Sequence, residues 1–147
     1  MKKAFLLLSF SLLLFACTST SNKTEEHAEH EHGEMTGVAL NNGAKWKADS
    51  ITNNNVLDIK TITDNFRIKP FPSANDYQIL GSDLKNGLDK MINECKMSGP
   101  DHEALHQWLN PVLKNVNELK TVSDTTKGRS VFKSIDKELD DYYNYFE

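Results

Sequence analysis

The sequence predicts an all-α protein: an up-down-up-down four-helix bundle set behind an export signal and a polar tether. Three observations carry that expectation. Apolar residues recur at steps of three and four in four separate stripes, the spacing that lines one face of a helix. The links between stripes are short and polar or hold Pro and Gly, and short links lay consecutive helices antiparallel. No alternating apolar stretch is long enough for a strand.

In chain order, Met1-Lys2-Lys3 is a short cationic start, followed by twelve apolar-rich residues from Ala4 to Phe15. A stable bilayer-spanning helix takes ~20, so this stretch reads as the core of a signal peptide. It ends in Leu14-Phe15-Ala16-Cys17, which resembles the lipobox of bacterial lipoprotein precursors, although Phe15 is bulkier than the residue usual at its place. The resemblance implies cleavage after residue 16 and acylation of Cys17, so that 1–16 is a lipoprotein signal peptide and the membrane is a partner. An ordinary signal peptide or an uncleaved anchor is the alternative. Acyl chains hold by ~0.8 kcal/mol per buried methylene. Thr18 stands where enteric bacteria use Asp to retain lipoproteins in the inner membrane, which points to the outer membrane of the cell envelope, facing the periplasm or the surface.

Residues 17–42 are rich in Ser, Thr, Glu, Asn and His without apolar periodicity. Such a composition buries too little surface to offset chain entropy, and it predicts a disordered tether. The bundle domain is expected over 43–147. Val56, Ile59, Ile62 and Phe66 form the first stripe, with Asp49, Ser50 or Thr52 as its cap. Pro70 and Pro72 break the chain. Tyr77, Leu80, Leu84, Leu88, Met91 and Cys95 form a second, longer stripe. Met97-Ser98-Gly99-Pro100 is a tight turn, and Ser98 and Asp101 have the spacing of a capping box. His102, Leu105, Leu109, Val112, Val116 and Leu119 make the third stripe, in which Pro111 removes one helical hydrogen bond and should kink the helix. After a polar link from Thr121 to Thr126, Val131, Ile135, Leu139, Tyr142 or Tyr143, and Phe146 make the fourth.

The net charge of −4 argues against nucleic acid, whose binders show a basic face. Loss of Lys2 and Lys3 with the signal leaves the mature chain more acidic still. No Gly-rich phosphate loop, Gly-x-Ser-x-Gly elbow or His-Glu-x-x-His helix is present, and no nucleophile stands with a base. The expectation is that the protein is not an enzyme.

What chemistry there is gathers at one turn. With Cys17 acylated, Cys95 is the single remaining thiol of the two cysteines and lacks an intramolecular disulfide partner. His102 follows seven residues later across the tight turn, and His106 lies one helical turn beyond it, the spacing that puts two imidazoles on one face. Met97 is in the turn, and Met91 is a turn below Cys95. A thiolate, imidazoles and a thioether form a soft donor set that favours Cu(I), while Cys with His also suits Zn(II). Cys and Met are also ordinary core fillers, so the metal reading rests on convergence. The other three of the five histidines, His27, His30 and His32, alternate with acids in the tether. Short His-rich tracts collect Cu(II) or Zn(II) weakly; a solvated acidic stalk is the alternative.

The stretches Gly43-Ala-Lys-Trp46-Lys-Ala-Asp49 and Cys95-Lys-Met97-Ser-Gly-Pro-Asp-His102-Glu-Ala-Leu-His106-Gln-Trp-Leu109 resemble a group of small, largely uncharacterised bacterial lipoproteins. The likeness covers most of the chain from Asn41 onward. It implies a helical exported domain and marks Cys95, Met97, His102 and His106. The sequence therefore leads to a lipid-anchored envelope protein that buffers, senses or transfers copper or zinc. A non-covalent haem or electron-transfer bundle is the second reading, and a structural lipoprotein bound to an envelope protein partner is the third.

Overall fold

The computed structural model describes residues 37–147. The expected signal peptide, Cys17 and the histidines at 27, 30 and 32 lie outside them. By its own contacts His32–Glu147 is one compact unit, and every described core residue lies within it, so this segment holds its own fold.

Four helices make up that unit: α1 Ser50–Arg67, α2 Ala74–Glu94, α3 Pro100–Leu119 and α4 Thr125–Tyr145. Among the described residues β pairing is limited to two isolated bridges. No described helix is long and apolar enough to cross a membrane. Cross-helix contacts run head to tail. Asn55 of α1 meets Glu94 of α2, and Phe66 meets Tyr77. On the facing side Tyr142 of α4 meets Asn53 of α1, and Asp136 meets Arg67. α3 and α4 pair the same way, through Trp108 with Tyr142 at one end and Glu118 with Lys127 at the other. α2 and α4 also touch across the diagonal.

Each helix starts for a local reason. Asp49 caps α1 by accepting from the Thr52 amide at 2.6 Å. Ser73 and Asp76 form a reciprocal capping box at α2, and hydrogen bonds from Lys69 and Ser73 hold the Asp76 carboxyl down at about 2. Asp124 caps α4 by accepting from Lys127. The capping box expected at Ser98 and Asp101 does not form. Gly99 is the residue before α3, at φ +70°, with Pro100 in the first helical position. Pro at that place loses no helical bond, and glycine takes the positive φ without strain. The Asp101 carboxylate is used elsewhere, accepting from the Lys47 amide at 3.0 Å. Pro111 lies inside α3, which continues as one helix on both sides of it.

The core follows the predicted stripes, with Val56, Ile59, Leu84, Leu88, Val112, Val116, Ile135 and Leu139 all buried. Each such side chain contributes ~1.5–3 kcal/mol of burial. Trp108, Tyr142 and Phe146 are the largest fully buried side chains. Tyr142 stacks on Phe146 at 4.7 Å and meets Trp108 edge-on at 4.8 Å. Of the two candidate tyrosines Tyr142 is the buried one, and burial pushes its phenol above the usual range.

The core also takes in Val38, inside the stretch that composition assigned to the tether. The Trp46 indole donates to the Ala39 carbonyl at 2.7 Å. The N-terminal segment then clasps the C-terminal one, with Trp46 N donating to Tyr145 O, Glu147 N to Trp46 O and Ala48 N to Glu147 O, at 2.8–3.0 Å.

At the far end, the α1–α2 link breaks the pattern of burial. Ile68 is 82% exposed and Phe71 99% exposed. Phe71 holds φ +50°, a left-handed conformation that costs a non-glycine residue ~1–2 kcal/mol.

Candidate metal centre

The α2–α3 turn is built from the main chain outward. α2 ends at Glu94, and Cys95 follows as its cap with extended backbone and its amide bonded to Met91 O. The next amide, Lys96 N, donates to Asp49 Oδ2 at 3.0 Å, so the carboxylate that starts α1 also fixes the segment leaving Cys95. Glu94 accepts from the Asn55 side chain at 2.9 Å. With Asp101 held on Lys47, the turn is pinned from α1 and from the segment before it.

Within this frame Cys95, His102 and His106 line one small pocket of about 30 Å³ between α2 and α3, with Met91, Ile92, Leu105 and Leu109 as the other walls. The space is enough for a small guest. Its walls are almost wholly apolar. The two imidazoles sit 4.4 Å apart, edge to face.

The placement differs from the sequence expectation in three respects. Both histidines were expected to aim into the bundle; His102 is half-buried and His106 is exposed. The reason lies in Ala104 and Trp108, both buried. With them in the stripe, the centre of the buried face of α3 lies roughly a third of a turn from His106 at 3.6 residues per turn. Met97 packs against the edge of the core and does not line the pocket; Met91, fully buried, does. Cys95 is a half-buried free thiol at the pocket's edge, one residue past the end of α2.

Among the described residues no three His, Cys, Asp or Glu side chains stand together as a ready-made metal cage. Cys95, His102 and His106 share a pocket without closing on a common centre. Compared with protein-family models, curated proteins and solved structures, the chain matches none.

Sequence reasoning missed three features here. Asp49 was read as a cap and not as the brace of the Cys95 segment. Met91 was placed below Cys95 but not in the pocket wall. Glu138 received no role, yet its backbone carbonyl takes the Trp108 indole N–H at 2.8 Å and its side chain accepts from Asn115 at 2.9 Å. Its second carboxylate oxygen is buried without a partner. Aromatic content in α3 was the available signal, because a buried indole N–H needs an acceptor.

Proposed function

We propose that this is a lipid-anchored cell-envelope protein that binds copper or zinc, for buffering, sensing or transfer, and is not an enzyme. Cys95, His102 and His106 are the proposed ligands in the bundle. His27, His30 and His32 form a weak collector beside the acylated Cys17, which ties the chain to the outer membrane. The observation that supports this reading is the sharing of one small apolar pocket by a thiol and two imidazoles. A thiol and two imidazoles at one small pocket supply the sulfur and nitrogen donors that copper and zinc take.

The donors are not pre-assembled, so loading moves side chains. His106 is at the surface and free to swing over Cys95, and the thiol loses its proton on binding, which makes affinity rise with pH. Soft sulfur favours Cu(I) over harder ions.

Anaerobic titration of Cu(I), and separately of Zn(II), into the compact unit His32–Glu147 tests the reading. One equivalent should bind with a rise in melting temperature, and Cys95→Ala/His102→Ala should lose that equivalent while keeping its helical circular dichroism. Equal binding by the folded double variant and the wild type would overturn the site.

A further inference from the structure

The end of the bundle opposite Cys95 carries a second surface that the metal reading does not use. Phe66, Tyr77 and Phe132 cluster there, with ring centroids 5.2, 5.2 and 6.4 Å apart. They floor a groove of about 320 Å³ whose rim holds Arg67, Lys69, Arg129 and Lys133 against the single acid Asp136. Arg67 is taken up by Asp64 and Asp136, and Lys69 by Asp76. Among the described residues neither Arg129 nor Lys133 has a carboxylate partner. Beside the groove stands the link Ile68-Lys69-Pro70-Phe71-Pro72, with Ile68 and Phe71 almost fully in solvent and Phe71 strained to get there.

We propose that this end docks on an anionic lipid bilayer, with Ile68 and Phe71 dipping into the interface and Arg129 and Lys133 meeting lipid phosphates. Charge and area both favour that occupant. Two cations without a carboxylate partner, in a groove beside an apolar tip, match the negative surface of an anionic leaflet. The tip itself is convex and small: two side chains expose a few hundred Å² at most, against ≈ 800 Å² per partner in a stable protein interface. A fluid interface accepts such a tip without a matching pocket. Strain retained at an exposed bulky residue is the kind of outlier that points to use.

The proposal does not depend on an acyl anchor at Cys17 or on the metal.

Co-sedimentation of His32–Glu147 with vesicles tests it, since this unit lacks both Cys17 and the apolar N-terminal stretch. Vesicles of equimolar phosphatidylcholine and phosphatidylglycerol should bind it at low salt about tenfold or more tightly than phosphatidylcholine alone. Ile68→Ser/Phe71→Ser should weaken that binding by about tenfold or more, and so should Arg129→Glu/Lys133→Glu. All four side chains are exposed, so helical circular dichroism should be unchanged in both variants. No binding to the mixed vesicles at low salt, or equal binding by wild type and the Ile68/Phe71 variant, would overturn the proposal. So would a tip that crosslinks to an envelope protein while wild type ignores the vesicles.

Discussion

Asp49 divides one carboxylate between two jobs, accepting from Thr52 N through Oδ1 and from Lys96 N through Oδ2. Burial works against its charge, but these amide hydrogen bonds hold its carboxyl below the usual range. Glu138 shows the opposite balance. Burial pushes its carboxyl above the ordinary 4.5, and the single hydrogen bond from Asn115 offsets only part of that rise. A carboxyl raised in the fold contributes most below its unfolded value, and that contribution is lost as pH rises through the folded value. Glu138→Gln stays neutral throughout. Urea unfolding of the variant from acid to neutral pH should show a flatter stability profile than wild type above the ordinary carboxylate range. Parallel profiles would mean that Glu138 carries no such penalty.

Among the elements, the contact of α2 with the end of α3 depends on Gly81. A Cβ there would stand 2.8 Å from the Lys120 backbone N and 3.1 Å from Leu119 C. Those are main-chain atoms at the end of α3, so relief means moving a helix. Gly81→Ala gains ~1 kcal/mol of helix propensity but forces overpacking of ~1–3 kcal/mol. The expected result is a lower melting temperature in a thermal unfolding scan, and a rise would show that α3 shifts freely.

The same scale shows what could be read from sequence. The apolar steps of α1, α2 and α4 locate their buried faces, because periodicity reports burial directly. Pro70, Pro72 and Gly99-Pro100 locate two of the three breaks, because those residues limit the backbone wherever they stand. The face of α3 was set too far toward His106, because Trp108 was left off its stripe. Gly99 rather than Ser98 precedes α3, because Pro100 supplies the start that a capping box would have supplied. The pocket was legible as the neighbours Cys95, His102 and His106. That they stop short of a common centre was not legible, since periodicity places a residue on a face without setting the orientation of its ring. Nothing periodic marks a loop whose side chains face water, which is why Ile68 and Phe71 passed without comment.

At the scale of the whole molecule the bundle has two unlike ends. One holds the thiol and the imidazoles; the other holds free cations above an aromatic floor. At the thiol end the aromatic stack of Trp108, Tyr142 and Phe146 joins α3 and α4 to the clasp of the terminal segments. Phe146 is 1% exposed, and it sits in the last two residues of the chain. Phe146→Ala should cost ~3–5 kcal/mol, read as a lower urea midpoint, and should loosen the Trp46 segment as seen by faster amide exchange there. A cost under ~1 kcal/mol would mean that the clasp is ornamental to the fold.

That clasp has a mechanical meaning. Tension entering the domain from the N-terminal side reaches the Trp46–Ala48 segment before it reaches α1. The backbone hydrogen bonds with Tyr145 and Glu147 pass part of the load to the last turn of α4, while Asp49 passes another part to the exit of α2. A pull on the leading segment is thus spread over three helices, and the first turn of α1 is spared from bearing it by itself.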